Sequence, residues 1–244
     1  MKSTKNTAAN TAANTAAAPA GPCLHLTWLG HAAFLLTSSS GTRILLDPYR
    51  APDAGAYAPI DVPADVVLVS HLNPKYHSHW EAASGTPVRL NGLDFASRPD
   101  GADAHGLQFR AVQVWESPER ETPVSMPYFT VDGLTVCHSG DLGHALSPEE
   151  AAPLVGTDIF LAVAGGPPTV SLPALKAAID LIQPKIVLPM HYGNGKVNLP
   201  LQPISDLLAL FDPAQISYSS SPTLSLCAAD LPPSLQVIVL PSAC

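Results

Sequence analysis

The sequence predicts an α/β protein built as a layered sandwich, with strands inside and helices outside. Two series of short apolar segments separated by turn residues occupy the first part of the chain, which is typical of strands. The remainder alternates apolar segments with segments of helical periodicity, as in strands joined by helices. Together these patterns indicate two sheet-forming halves with helices attached.

The predicted strands come first. The initial series reads LHLTWLG, AAFLLTS, TRILLDP and DVVLVSH, and SSSGTR supplies the residues of a hairpin turn. Pro48 ends the third strand because proline cannot continue a hydrogen-bonded ladder. The second series reads LQFRAVQVW, PYFTVDG and LTVCHSGD, and Asp132-Gly133 predicts a hairpin turn in it.

The predicted helices follow. DIFLAVAGG and KIVLPMH indicate buried strands, and SLPALKAAIDLIQP between them has apolar residues at helical spacing. We expect Ser171 as the N-cap, Pro173 in the first turn and Pro184 as the end of this helix. PISDLLALFDP predicts another short helix, and LQVIVL predicts the last strand.

The domain organisation follows from composition. Residues 1–22 contain repeated Asn-Thr-Ala-Ala with little apolar mass, which predicts a disordered tail before a single domain over residues 23–244. The chain contains neither the apolar core of a secretory signal nor a membrane-spanning stretch. The four cysteines are scattered without a CxxC pair, so we predict no disulfide framework and a reducing, cytoplasmic location.

Charge excludes one class of partner. The formal net charge is −8 with only 13% charged residues, which argues against nucleic-acid binding. The oligomeric state is left open. The motifs of P-loop proteins, zincins and α/β-hydrolases do not occur.

Candidate functional residues stand at the ends of predicted strands, in WLGHAAF, LLDPY, VLVSH, CHSGDLGH and LPMHYG. Their order resembles the metallo-β-lactamase fold superfamily, and within it the ascorbate-6-phosphate lactonase-like branch, over residues 24–200. The resemblance implies a four-layer αβ/βα sandwich whose loops at one sheet edge hold one or two divalent ions, usually zinc. Such ions activate a water molecule for hydrolysis.

The chain departs from the family motif His-x-His-x-Asp-His. Aligned without a gap, it keeps His71 but has Asn73, Lys75 and Tyr76 at the other three ligand positions. An ammonium group in place of a carboxylate repels a cation, so Lys75 predicts that the second metal site is closed and that Asp141 is its ion-pair partner.

The other ligand positions are partly kept. Asp141 matches the bridging aspartate and His191 the last histidine, while Glu116 stands near the position of a further histidine. The alignment implies one remodelled site whose metal ligands are His71, Asn73, Glu116, Asp141 and His191. This oxygen-rich set suits manganese or iron better than zinc.

A competing alignment inserts residues into this loop, so that His77 and His79 replace the lost histidines. Residues two apart on an extended segment share a face, so both rings could reach one ion. We favour the ungapped alignment because SHLNPKY keeps the Ser-His-x-x-Pro frame, but both stay open.

Neighbouring polar residues have supporting roles in this interpretation. His31, His138 and His144 are expected to order loops near the site, and Asp47 is expected to brace the metal-binding loop.

The function predicted from the sequence is that of a metal-dependent hydrolase acting on a small ester, lactone, amide or phosphoester. The catalytic residues would be Lys75, Tyr76, Asp141 and His191. One alternative is a metal-independent lyase, cyclase or isomerase that uses Lys75, Tyr76, Glu116 and His191. Another is a non-catalytic ligand-binding relative.

Overall fold

The computed structural model describes residues 21–244, so most of the predicted tail lies outside the described residues. The strands of the first part are β1 (Cys23–Gly30), β2 (Ala33–Thr37), β3 (Arg43–Leu46), β4 (Val62–Pro63), β5 (Val66–Val69), β6 (Ala83–Ser84), β7 (Val88–Asn91) and β8 (Ala102–Ala104). Those that follow are β9 (Leu107–Trp115), β10 (Pro123–Val131), β11 (Leu134–His138), β12 (Ile159–Val163), β13 (Ile186–Met190), β14 (Ile216–Tyr218), β15 (Thr223–Cys227) and β16 (Gln236–Val239). The helices are α1 (Pro148–Ala151), α2 (Leu172–Ile182) and α3 (Ile204–Leu208).

Two mixed sheets form the body of the fold. The first has six strands in the order β15-β1-β2-β3-β5-β7, and the second has eight in the order β14-β16-β13-β12-β11-β10-β9-β8. β1, β2 and β3 are antiparallel, whereas β3, β5 and β7 are parallel. In the second sheet, β9 to β11 are antiparallel, and β11, β12, β13 and β16 are parallel. The predicted α/β sandwich is confirmed.

The main core lies between the sheets. Alternate residues of β1, Leu24, Leu26 and Trp28, belong to the same buried cluster as Phe109 and Phe129 of the second sheet. The rings of Phe109 and Phe129 are 4.9 Å apart between centroids, which suits an aromatic pair. Alternation in the strands therefore marks the face that meets the other sheet.

Helix α2 covers the second sheet, and its limits agree with the sequence. Ser171 holds the N-cap position and Pro173 lies in the first turn. The helix ends at Gln183, whose φ of 57° gives a left-handed cap, just before Pro184. Its apolar face explains why β12 behind it is buried on both sides.

The outer face of the first sheet is covered differently. Tyr49, Tyr57 and Ile60 from the segment after β3 pack on it together with the 3-10 turn Trp80–Ala82. This cover is irregular chain tied down by hydrogen bonds, such as that from the Tyr49 hydroxyl to the Ala58 carbonyl at 2.8 Å. Among the described residues, no helix is long and apolar enough to cross a bilayer.

A disulfide corrects the cysteine prediction. Cys23 and Cys227 face each other on β1 and β15 and are joined across 204 positions, while Cys137 and Cys244 are free. The sequence did not indicate this pairing, because the two cysteines are far apart along the chain and only the register of β1 with β15 brings them together. The expected cytoplasmic location rested partly on the absence of such a bond and loses that support.

Removing the disulfide is expected to lower the free energy of unfolding by about 2–4 kcal/mol, because the cross-link restricts the unfolded chain. Urea unfolding of Cys227→Ser measures the loss, with Cys244→Ser as the matched control that removes a free thiol. An unchanged transition midpoint in Cys227→Ser would contradict the expectation.

Candidate metal centre

The candidate site lies at one edge of the sandwich, where the carboxyl ends of strands from both sheets meet. Five buried polar residues follow these ends within three positions of β1, β3, β5, β11 and β13: His31, Asp47, His71, Asp141 and His191. Carboxyl ends of neighbouring parallel strands point to the same edge, so the fold alone gathers these side chains.

Backbone strain marks three of these residues. His31, Asp47 and His191 have φ values of 48°, 40° and 53°, in the left-handed region that residues with a side chain rarely adopt. A backbone bond of 2.9 Å from the His191 amide to the His31 carbonyl holds two of them together. Strain of this kind costs of order 1–3 kcal/mol per residue and concentrates at functional sites.

The rebuilt loop after β5 directs His77 inward. The Asn73 carbonyl accepts bonds from the amides of Tyr76, His77 and Ser78 at 3.1, 2.8 and 2.9 Å. The segment therefore coils around that carbonyl instead of continuing as an extended chain. The amide of His79 then bonds the Pro48 carbonyl at 2.9 Å, which fastens the loop to the segment after β3.

His77 is fully buried between two carboxylates. Its Nδ1 lies 2.9 Å from Asp47 Oδ2, and its Nε2 lies 2.9 Å from Asp141 Oδ2. Asp47 also accepts bonds of 2.6 Å from the amide and the hydroxyl of Ser70. The contact with Asp47 is a hydrogen bond, whereas His77 Nε2 does not meet hydrogen-bond geometry toward Asp141. His77 Nε2 therefore has no hydrogen-bond partner among the described residues.

Several buried polar atoms around His77 and Asp141 have no hydrogen-bond partner among the described residues. They are both ring nitrogens of His31, Nε2 of His71 and His77, Nδ1 of His191 and Oδ1 of Asp141. Buried polar atoms are normally paired, so such a concentration calls for a ligand. The ligand atoms fall into two groups, each within 4.8 Å: His31, His77 and His191, and His71, His77 and Asp141. Imidazole and carboxylate donors at this spacing fit a divalent metal ion.

Burial sets the charge of the histidines. It lowers the pKa of His71 to about 4, and it lowers the pKa of His31 and of His191 as well. These rings are therefore neutral near pH 7, the form in which imidazole binds a metal. Burial also opposes charge on His77, but Asp141 and Asp47 outweigh it and raise its pKa to about 10.

The carboxylates respond in the opposite sense. Burial works to raise the pKa of Asp141, but the neighbouring His77 and His191 hold it well below its ordinary value. Burial and the charge of Asp141 raise the pKa of Glu116, which lies farther out. Asp141 is thus the anionic centre of the site.

A cavity of about 160 Å³ opens above the cluster. The residues lining it are Asn73, Tyr76, His77, Glu116, Asp141, Pro168, Thr169, His191 and Leu199. It is smaller than a typical pocket for a drug-sized ligand, which begins at about 300 Å³. The cavity suits a small molecule or the end of a longer one.

The structure corrects the predicted role of Lys75. Its side chain is exposed, and Asp141 instead contacts His77 and, at 3.7 Å, His191 Nε2. The predicted pair of Lys75 with Asp141 is therefore wrong. Coiling of the loop turns residue 75 outward and residue 77 inward, so the ungapped alignment fails here.

The other replaced positions lie near the cluster without joining it. Tyr76 is half-buried and stacks on His31 with centroids 5.5 Å apart, and Asn73 and Glu116 line the cavity outside both groups of ligand atoms. His79 lies partly exposed beside Glu81 at 3.3 Å. The competing alignment is thus supported for His77 but not for His79, because the loop is not extended.

His138 and His144 support the loop between β11 and α1, as predicted. His138 Nδ1 accepts a bond from the Gly140 amide at 3.0 Å, and its Nε2 lies 2.9 Å from the Ala32 carbonyl. His144 Nε2 accepts from the Trp115 amide at 3.2 Å. Asp47 likewise braces the loop after β5, as predicted, through Ser70.

Sequence reasoning gave His31 only a loop-ordering role. The feature that could have drawn attention to this residue is its place directly after Gly30, in a tight turn where both residues have positive φ values.

Comparisons with known proteins agree with this geometry. The chain is 26% identical over 199 residues to the UPF0173 metal-dependent hydrolase of Archaeoglobus fulgidus, covering 70% of this chain and 84% of the relative. It is 29% identical over 197 residues to that of Carboxydothermus hydrogenoformans, covering 71% and 87%.

A solved Thermotoga maritima structure, assigned to the zinc-dependent hydrolases of the metallo-β-lactamase superfamily, matches 89% of this chain and 98% of its own. Its TM-score is 0.72 and its identity 28%. The family described as the Beta-lactamase superfamily domain matches residues 25–191. That range spans the strand ends from His31 to His191, and the chain belongs to this family.

Proposed function

We propose that the protein is a metal-dependent hydrolase that uses one divalent ion, zinc by preference, to cleave a small uncharged ester, lactone or amide. The observation that carries the proposal is the group of buried, unpartnered histidine nitrogens around His77 and Asp141. A donor set of mainly imidazole nitrogens favours zinc over the harder manganese. The named activity of the relatives supports the same reaction class.

The number of ions follows from His77. Its Nδ1 is bonded to Asp47, so only Nε2 can offer a lone pair to a metal, and it can do so once the ion has displaced the proton that Asp141 and Asp47 hold on the ring. Both candidate groups contain His77, so they compete for that lone pair. One ion per chain is therefore the expected stoichiometry.

The residues of the chain divide the work. A divalent ion held by these residues would supply a water of lowered pKa and would polarise the substrate carbonyl. Asp47 fixes the orientation and tautomer of the His77 ring. Asp141, at the floor of the cavity, balances the positive charge of the ion. Glu116, on the cavity wall, is the group that we assign to proton transfer.

The lining of the cavity indicates an uncharged substrate. Among the described residues, the lining contains Glu116 and Asp141 but no lysine or arginine. Tyr76, Pro168 and Leu199 add apolar surface to the wall. A phosphoester would bring its own negative charge toward two carboxylates without a lysine or arginine to receive it.

Metal dependence tests the proposal. Purified protein supplied with zinc, manganese and iron is expected to hold about one equivalent of a single ion and to lose esterase activity on chelation. Re-addition of the ion should restore activity, and Asp141→Asn serves as the inactive control. Less than about a tenth of an equivalent, or full activity after chelation, would refute the proposal and favour a metal-independent reaction.

Substrate charge is tested with two substrates that share one leaving group. Nitrophenyl acetate is expected to give at least a tenfold higher kcat/KM than nitrophenyl phosphate, about 1.4 kcal/mol of discrimination. The reverse preference would remove the neutral-substrate part while leaving metal-dependent hydrolysis in place.

A further inference from the structure

We infer that His31 is a metal ligand, and that the ion lies in the group formed by His31, His77 and His191. The inference rests on the proposed metal dependence and deepens it, since the family motif has no ligand at this position of the chain. Nothing in the residue pattern around His31 had indicated more than a loop-ordering role.

The ring of His31 is costly to keep without a ligand. The residue is fully buried, and neither ring nitrogen has a hydrogen-bond partner in the described protein. An unpaired buried polar group destabilises the fold, and the φ of 48° at His31 adds backbone strain. A loop-ordering histidine would bond a backbone group, as His138 and His144 do. A bound ion would satisfy one of the two unpartnered nitrogens.

The surroundings hold this ring in place. The His31 carbonyl accepts hydrogen bonds from Trp28 Nε1 at 3.0 Å and from the His191 amide at 2.9 Å. These two bonds hold the backbone of His31 in place. Tyr76 stacks on the ring, and the His191 ring meets it edge-on with centroids 4.1 Å apart. A ligand held this rigidly needs little reorganisation to bind.

The rival group is partly satisfied within the protein. His71 Nδ1 lies 3.0 Å from the Ser70 hydroxyl, so only Nε2 of His71 lacks a partner among the described residues, whereas both ring nitrogens of His31 lack one. Asp141 Oδ1 also lies 3.7 Å from His191 Nε2, so this carboxylate borders the His31 group and can balance the charge of an ion there. Three imidazoles next to one carboxylate form a suitable zinc environment, in which a bound ion would take the place of the second proton of His77.

Ligands from His31 and His77 also account for the altered motif. Lys75 and Tyr76, which the ungapped alignment placed at ligand positions, supply no ligand, because Lys75 is exposed and Tyr76 stacks on His31. His31 from the turn between β1 and β2, and His77 from the coiled loop, bring two imidazoles to the His191 side. The second site is rebuilt with ligands from new positions in the chain.

Three asparagine variants test the assignment. His31→Asn is chosen because asparagine tolerates the left-handed backbone, His71→Asn alters the rival group, and His25→Asn is the exposed control on β1. Chelator competition measures zinc affinity, and the visible spectrum of the cobalt-loaded protein reports its ligand set. Loss of a supporting residue weakens binding about 10–100-fold, so loss of a ligand should weaken it by more than about 100-fold.

We expect His31→Asn to lose affinity to that extent and to change the cobalt spectrum, while His71→Asn loses less than about tenfold and His25→Asn is unchanged. The opposite order of His31→Asn and His71→Asn would overturn the inference but leave metal dependence standing. A wild-type protein that binds no ion would instead refute the proposed function. If His31→Asn does not fold, anomalous scattering from zinc in wild-type crystals decides, since a peak beside His71 and away from His31 overturns the assignment.

Discussion

His77→Gln is expected to abolish metal binding and hydrolysis together, with a loss of metal affinity greater than about 100-fold. His77 is the shared member of both groups of ligand atoms, so neither group survives its removal. The change also leaves Asp47 and Asp141 buried without the ring between them. Breaking a buried ion pair in this way costs about 3–5 kcal/mol, so the metal-free variant should be less stable by that amount.

Metal analysis, steady-state kinetics and urea unfolding measure the three effects. His79→Gln is the matched control, since it lies two residues along the same loop, is partly exposed and contacts only Glu81 among charged groups of the described residues. It should change stability by less than about 0.5 kcal/mol and leave affinity unaltered. A His77→Gln protein that keeps one equivalent of ion would contradict the central role of His77.

Asp47→Ala is expected to lower the free energy of unfolding by about 3–5 kcal/mol. The Asp47 carboxylate is buried and accepts bonds from the Ser70 amide, the Ser70 hydroxyl and His77 Nδ1, all of which would lose their partner. Alanine at a φ of 40° adds strain. Urea unfolding of the metal-free protein measures the loss.

Asp47→Asn separates positioning from folding. Asparagine keeps the shape and tolerates the backbone, but it weakens the bond that orients His77 and should reduce metal affinity about 10–100-fold. Asp65→Asn is the comparison, because Asp65 also accepts a backbone amide, from Arg43 at 2.8 Å, but lies partly exposed and away from the cavity. Its expected cost is about 1 kcal/mol with no change in affinity. Equal affinities in Asp47→Asn and wild type would contradict the orienting role.

The regular elements could be predicted because their patterns repeat over many residues. The alternation in LQFRAVQVW and the Asp132-Gly133 turn placed β9 to β11, and the prolines around SLPALKAAIDLIQP placed both ends of α2. Burial imposes these patterns, so a sequence must display them to fold in this way.

The site was harder to predict because its candidate ligands stand on irregular segments of the chain. An alignment that starts from His71 cannot show that the Asn73 carbonyl accepts hydrogen bonds from three backbone amides. These bonds coil the loop, and as a result residue 77 rather than residue 75 points inward. Asp141 and His191 could be singled out because the resemblance matches them to the bridging aspartate and the last histidine, and both stand within three residues of a regular strand. His31 was assigned a lesser role, since the approach of β1 to β13 across two sheets leaves no local pattern.

The fold around the site depends on the last three strands, which lie outside the residues that the family matches. β15 borders β1 in the first sheet, and β16 borders β13 in the second, whereas the family match stops at residue 191. A fragment ending there would retain every side chain of the metal centre and yet leave β1 and β13 as open sheet edges. A C-terminal segment therefore helps to hold His31 and His191 in register, although it contributes no ligand atom of its own.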